Sequence, residues 1–222
     1  MHIVAFVPMR HSSERVKGKN YRLLAGKPLF HHIIETLSAV PELDEIVIDT
    51  DSELITADTA EAFPHVRVIE RPEHLRAGEI PMNDVLLHST EVVPADLYLQ
   101  THSTNPLLRS ETISRGIQAL LDAQPERDSL FTVTPLHTRL WTPEGEAINH
   151  DPRVLLRTQD LPPVMEENSC MYLFTRESLV RTGNRVGERP LLMAMDADEA
   201  WDIDDELDWR VVEALIGERV RS

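Results

Sequence analysis

A doubly wound, mostly parallel, Rossmann-like α/β sheet is the fold class this sequence predicts, on three observations. The chain opens on a near-continuous apolar run, His2-Ile-Val-Ala-Phe-Val-Pro-Met9, the pattern of a strand buried on both faces. Short apolar runs and helical patterns then alternate with short connections over most of the 222 residues. Polar and charged loops follow the strand ends, where open α/β sheets bind their ligands.

The elements follow in order. After the first strand and a basic loop, Gly26 to Leu37 places Pro28 in a first helical turn and apolar residues at helical spacing. Glu45 to Asp51 is a short strand ending in acids, and Ser52 caps a helix reaching about Phe63. Val66 to Ile69 is a strand, residues 70–79 a loop, and Pro81 to Val92 a helix. Leu97 to Gln100 is a strand, Ser110 to Leu121 a helix with Ser110 as its cap, and Ser129 to Thr134 a strand. Between Pro135 and Val164 the rhythm breaks into a polar, proline-containing segment, long for a structureless loop. It reads as an insertion, a lid or an arm toward a second subunit, within a single domain spanning residues 1–222. Regular structure resumes with the strand Ser169 to Phe174 and ends in the helix Asp205 to Ile216.

Composition narrows the function classes. Hydrophobic residues make up 41% of the chain, enough for a sizeable core, and 22 Lys plus Arg against 38 Asp plus Glu give a net charge of −16. Such a chain repels nucleic acid and anionic membranes except through local basic patches. Cys170 is the only cysteine, which excludes an internal disulfide and an all-cysteine zinc site. With no signal-peptide pattern and no apolar run long enough to span a membrane, a cytoplasmic protein is expected.

Against that acidic background, the loop after the first strand gathers Arg10, Arg15, Lys17 and Lys19, with Asn20 beside them. Arg10 can grip phosphate bidentately, Lys19 as a point charge and Asn20 as a neutral donor. A solvated basic turn is the alternative, weakened by the position directly after the most apolar strand. The loop lacks both Gly-x-x-x-x-Gly-Lys-Ser/Thr and Gly-x-Gly-x-x-Gly. Near the other end stands Trp201-Asp-Ile-Asp-Asp-Glu-Leu-Asp-Trp209. In extended backbone Asp202 and Asp204 point to one side, and two carboxylates with substrate phosphates suit Mg²⁺. Helix capping by Asp205 and Asp208 is the other use of these acids, and the two are compatible. Gln100 sits at a strand end facing the ligand crevice, while Ser103, Thr104 and Asn105 read as turn formers. Weaker candidates are Arg71 before Pro72, Arg157 and Gln159 near the end of the irregular segment, and Asn168 before a strand. The ten histidines show no metal-binding spacing, and Ser12 and Ser13 have no triad partner.

Val7-Pro-Met-Arg10, Ser13-Glu-Arg15, Lys19-Asn20, Leu24 to Leu29, Arg71-Pro72, Asp84 to His88, Leu99-Gln100, Asn105 to Arg109, Asn168 with Tyr172, and Asp202-Ile-Asp204 run in one order over nearly the whole chain. Together they resemble the cytidylyltransferases of the CMP-N-acetylneuraminic acid synthetase type, which activate acidic keto-sugars. The resemblance implies a nucleotidyltransferase that moves CMP from CTP to the anomeric hydroxyl of a 2-keto-3-deoxy sugar acid, releasing pyrophosphate. It implies that Arg10, Ser13, Arg15, Lys19 and Asn20 hold the nucleotide and that Arg71 contacts the cytosine end. Gln100, Arg157, Gln159 and Asn168 would meet the sugar, and Asp202 and Asp204 would hold Mg²⁺; Arg10, Lys19, Gln100 and Asp204 are the catalytic set. The segment from Pro135 to Val164 matches the family's dimerisation arm, so a homodimer with partly shared pockets is expected. Three stretches depart from the pattern: His11-Ser12-Ser13 where Gly or Gly-Ser is common, Met82-Asn83 where smaller polar residues are frequent, and the longer Gln100 to Arg109 in place of Gln-Pro-Thr-Ser-Pro-Leu-Arg. Competing readings are transfer to a sugar phosphate or phosphonate, and a non-catalytic nucleotide-binding subunit.

Overall fold

A computed structural model describes residues 1–12, 16 and 18–219. The elements in chain order are β1 (Ile3–Met9), the two-residue strands β2 (Leu23–Leu24) and β3 (Lys27–Pro28), α1 (Leu29–Ser38), β4 (Glu45–Thr50), α2 (Glu53–Ala62), β5 (Arg67–Glu70), α3 (Met82–Val92), β6 (Leu97–Gln100), α4 (Ser110–Ala123), β7 (Ser129–Leu136), β8 (Val164–Phe174), α5 (Arg176–Thr182), β9 (Pro190–Ala194) and α6 (Glu206–Arg219). The seven longer strands form one sheet in the order β5-β4-β1-β6-β8-β7-β9. All pairings are parallel except those of β8 with β6 and β7. A single reversed strand thus interrupts an otherwise parallel sheet, as the alternation of elements predicts.

The first strand shows why the sequence chooses this architecture. All seven residues of β1 are buried. Side chains alternate between faces, so Ile3, Ala5, Val7 and Met9 join Phe30, Ile33 and Ile34 of α1 and Ile113 and Ile117 of α4 in one core. Val4 and Phe6 join Leu86 of α3, Tyr98, Phe174 and Leu179 of α5 in the other. Helices cover both faces, hence the absence of polar alternation. Each fully buried aliphatic or aromatic side chain contributes about 1.5–3 kcal/mol relative to exposure. The Phe6 and Tyr98 rings stack with centroids 5.5 Å apart.

A third, smaller core contains Val16, Leu24, Leu29, Leu107, Ile203, Trp209 and Val212. It fastens the last helix to the loop that follows the first strand. Arg22 reinforces the joint, lying 4.2 Å over the Trp209 ring while its Nη1 donates to Glu206 at 2.6 Å. This packing brings the two ends of the chain together.

Capping follows the sequence at one helix and departs from it at another. Ser52 Oγ accepts from the Ile55 amide at 3.4 Å, as the cap of α2 should. Ser110 does not cap α4; the N-cap is Arg109, and the job passes to a distant acid. Glu199, buried, accepts from the Arg109 amide at 2.9 Å and from the Thr112 hydroxyl at 2.9 Å. Only tertiary packing could supply such a cap.

The irregular segment is narrower than its sequence bounds. Pro135 and Leu136 continue β7, Val164 opens β8, and the two strands pair antiparallel out to Leu136↔Val164. Residues 137–163 cross the tip of this long pair, with one 3-10 turn, Thr158–Asp160, and a lone bridge, Trp141↔Ala147. Besides the two-residue strands β2 and β3, two elements went unread in the sequence. Helix α5 is short, capped by Thr175 and closed by Gly183 in the left-handed conformation (φ 66°). Strand β9 is a half-exposed edge without clean alternation. Among the described residues no helix is long and apolar enough to cross a membrane.

Candidate active site

Polar side chains gather at the carboxyl ends of β1 and β6. A cleft of about 490 Å³ is lined by Met9, Arg10 and Ser12 after β1, by Lys19 and Asn20, by His102, Ser103 and Thr104 after β6, and by Ser169, Arg185, Asp202 and Asp204. A second cleft, about 540 Å³, shares Ser169, Asp202 and Asp204 and adds Glu166, Glu167, Asn168 and Asp208. The two aspartates therefore stand on the wall between the clefts.

Local chemistry explains how each side chain arrives. Gly18 adopts φ 66°, and a Cβ there would come within 2.8 Å of the Tyr21 ring, so the turn that presents Lys19 needs glycine. Lys19 Nζ donates to the Ile203 carbonyl at 2.7 Å and lies 3.9 Å from Asp204 Oδ1. Asn20 works as a strut: its Nδ2 donates to the Arg10 carbonyl at 2.9 Å and its Oδ1 accepts from Ser103 Oγ at 2.7 Å. That joins the loops after β1 and β6.

The acidic end is built by alternation. Ile203 is fully buried and its amide donates to the Thr104 carbonyl at 2.9 Å, so its neighbours Asp202 and Asp204 both turn toward the clefts. Asp205 Oδ1 accepts from the Leu207 and Asp208 amides, while Asp208 Oδ2 accepts from the Asp204 and Asp205 amides. This reciprocal capping box starts α6. Asp202 and Asp204 face the clefts while Asp205 and Asp208 build the helix, Asp208 also lining the second cleft.

Gln100 is fully buried and stands behind the cleft wall. Its Oε1 accepts from Arg185 Nη1, and its Nε2 donates to the Thr101 carbonyl at 3.0 Å and approaches His102 Nε2 at 3.1 Å. An arginine can only donate, so the amide's orientation is fixed, and a neutral His102 then carries its proton on Nδ1. Burial, with Arg185 and Lys19 close by, pushes the His102 pKa down from 6.5 to about 3. The unfolded chain takes up this proton near pH 6.5 and the folded one only near pH 3. Stability from this group is thus complete above pH 6.5 and declines as pH falls through that window, by up to ~1.4 kcal/mol per pH unit. Urea midpoints at pH 7.5 and 5 should diverge more in the native protein than in His102→Gln; equal differences would disprove the assignment.

The remaining expectations fall in three groups. Ser13, Arg15 and Lys17 lie outside the described residues. Asn168 lines the second cleft, accepting from Thr132 Oγ1 at 2.7 Å and donating to Thr134 Oγ1 at 3.2 Å. Arg71, Arg157 and Gln159 line neither cleft. Arg71 is 2% exposed and committed to Asp49, 2.5 Å from Nε to Oδ1, which makes its guanidinium an internal brace rather than an open base contact. Arg157 pairs with Asp160 at 2.7 Å on the exposed irregular segment, where Gln159 is exposed too.

Sequence reasoning missed His102, Ser169 and Arg185. Between Phe131↔Tyr172 and Val133↔Glu167 the register of β7 and β8 slips. The resulting bulge holds Ser169 at φ 58°, an uncommon conformation for a non-glycine residue, and aims it at the cleft. No local pattern announces such a bulge. Arg185 reaches the cleft through the connection between α5 and β9, both unread in the sequence.

A doubly wound sheet whose strand ends unite cations with paired carboxylates over one cleft defines a nucleotidyltransferase-like site. Two hard carboxylate donors, with phosphate oxygens and water completing the shell, suit Mg²⁺, and no site of three or more His, Cys, Asp or Glu ligands occurs among the described residues. The cytidylyltransferase family model matches residues 4–199, and the chain belongs to that family. It is 29% identical to the CMP-N,N'-diacetyllegionaminic acid synthase of Legionella pneumophila, covering 97% of each chain. It is 28% identical to the post-translational flagellin modification protein B of Campylobacter coli, over 98% of this chain and 96% of that one. The solved CMP:2-keto-3-deoxy-manno-octonic acid synthetase complexed with CTP shares the fold, with TM-score 0.72 at 18% identity over 99% and 100% of the two chains.

Proposed function

We propose that this cytidylyltransferase transfers CMP from CTP to the anomeric hydroxyl of an acidic 2-keto-3-deoxy sugar, of the nonulosonate or octulosonate kind. The observation that carries the reading is the convergence of Arg10 and Lys19 with Asp202 and Asp204 on one cleft. The product that names the Legionella relative, a CMP-linked legionaminic acid, supports the acceptor class.

In this scheme the acceptor hydroxyl gives up its proton to solvent and its oxygen bonds to the α-phosphorus. The bond from that phosphorus to the bridging oxygen breaks, and pyrophosphate leaves with the electron pair. Arg10 and Lys19 hold the triphosphate and offset charge on the leaving group. Lys19 is pre-positioned by the Ile203 carbonyl, and Asn20 holds the Arg10 segment in register with the β6 loop. Asp202 and Asp204 would hold Mg²⁺, which supplies further charge neutralisation when bound. Gln100 acts on the sugar side through Arg185 and His102.

The enzyme works in the cytoplasm, where CTP is supplied, and as a homodimer. Trp141 (50% exposed), Ile148 and Leu155 (88% exposed) give the arm an apolar surface that a second copy would cover. In such a dimer Arg157 and Gln159 would lie toward the partner's cleft.

Pyrophosphate release is the test. Purified protein should produce it only when CTP, Mg²⁺ and a keto-sugar acid are all present, and EDTA should abolish it. A panel of CTP, UTP, GTP and ATP against keto-sugar acids, sugar phosphates and phosphonates decides the acceptor class. Turnover confined to a phosphate or phosphonate acceptor would replace the reading, and CTP binding without product on any acceptor would point to a non-catalytic subunit.

A further inference from the structure

Arg185 links Gln100 to the sugar side in the scheme above, but its charge is given no ligand there. Its guanidinium lies 3.6 Å from the centroid of the Tyr172 ring, and its Nη1 donates to Gln100 Oε1. Its backbone amide donates to Asn83 Oδ1 at 3.3 Å, tying the connection to α3. The buried Arg71 is neutralised by Asp49. The partners of Arg185, in contrast, are neutral: an amide oxygen and an aromatic face. Glu167, an acid whose charge it senses, is engaged by the Tyr172 hydroxyl. Burial lowers the Arg185 pKa, as expected of a cation taken partly from water without an anion beside it. Such an arrangement is costly unless an anion arrives from the cleft, which Arg185 lines.

We propose that Arg185 is a specificity-determining residue that takes the carboxylate of the acceptor sugar, an inference resting on the acceptor class proposed above. Sheet order supports the placement. Arg10 follows β1, Gln100 ends β6 and Tyr172 lies in β8, in the order β1-β6-β8. Adjacent strands are about 4.8 Å apart, so Arg185 stands roughly 5–10 Å along the sheet from the phosphate loop. In the cyclic hemiketal form of a 2-keto sugar acid the carboxylate and the attacking anomeric hydroxyl are attached to the same carbon. A carboxylate held at Arg185 therefore sets that hydroxyl toward the β1 loop. The guanidinium fork suits a carboxylate bidentately, and Gln100 keeps the fork in place by accepting from one arm. His102 stays neutral and adds no second cation to the acceptor end.

The test compares a keto-sugar acid with its C1 amide, using Arg185→Gln and Arg185→Lys and checking each variant by circular dichroism and CTP binding. Wild type should prefer the acid by about 100-fold or more in kcat/KM. Arg185→Gln should lose most of that preference, with the amide changed only a few-fold and the KM for CTP within about two-fold. Arg185→Lys should retain an intermediate preference, since lysine keeps the charge but not the fork. Four results overturn the assignment: a wild type that uses acid and amide equally, a lysine variant with undiminished preference, a glutamine variant that loses acid and amide alike, or one whose main defect is the KM for CTP. The lysine variant and the wild-type preference decide the matter if Arg185→Gln does not fold. A wild type that turned over no keto-sugar acid would bring down the acceptor reading and this inference together, an outcome distinct from those four.

Discussion

Asp204→Ala should lower kcat by about three orders of magnitude while leaving the far-ultraviolet circular dichroism and the urea midpoint nearly unchanged. The separation of effects follows from where the residue's contacts lie. Its backbone amide, not its side chain, joins the capping box, donating to Asp208 Oδ2 at 2.9 Å, and alanine keeps that amide. The carboxylate is 44% exposed and 3.9 Å from Lys19 Nζ, a separation at which a surface pair contributes little to stability. Alanine takes from the cleft wall one of the two carboxylates that, in the proposed function, would hold Mg²⁺. Asp205→Ala should do the reverse, costing about 1 kcal/mol through the lost helix cap with a smaller effect on turnover. Pyrophosphate release and urea unfolding measured on the same preparations separate the two. Wild-type turnover in Asp204→Ala would remove the metal role.

Asp49→Ala should destabilise the fold by about 3–5 kcal/mol, because it strands a buried cation. Asp49 is fully buried and Arg71 is 2% exposed; Nε donates to Oδ1 at 2.5 Å and Nη2 to the Asp49 carbonyl at 3.2 Å. Ser89 Oγ completes the set, donating to Oδ2 at 2.9 Å. Removing the acid leaves the guanidinium charge without its counter-ion in a site that water does not reach, while Ser89 Oγ turns to the Val85 carbonyl 2.8 Å away. Replacing both charges, Asp49→Leu with Arg71→Met, should cost far less, since no uncompensated charge remains. The two urea midpoints make the comparison, and a single variant that loses less than about 1 kcal/mol would show that the pair is not the brace described here. If Arg71 instead met the base directly, its loss would act chiefly on the KM for CTP.

Much of this was legible because it is local. The unbroken apolar run of β1 announced a strand covered on both sides, and the packing of α1 and α4 on one face and α3 and α5 on the other explains why. The two-residue spacing of Asp202 and Asp204 fixed their common direction, and the i, i+3 spacing of Asp205 and Asp208 fixed the capping box. Elements without a local signal escaped: the half-exposed edge β9, the short α5, and the bulge that turns Ser169 toward the cleft. Arg71 shows the opposite failure. An arginine before a proline at a strand end reads as a ligand contact until a buried partner appears 22 positions earlier.

Composition, periodicity and spacing by themselves determined the fold class, the order of the elements from β1 to β8 apart from the two-residue strands, and the chemical character of the two ends, since these depend on residues a few positions apart. Tertiary structure alone decided that those ends share a cleft, through a small core containing Ile203 and Trp209 and a lysine bonded to a carbonyl 184 residues away. It alone gave Arg71 its partner and left Arg185 facing the cleft. The reason is physical: how a charge behaves depends on what solvent or counter-charge surrounds it, and packing between distant segments sets those surroundings.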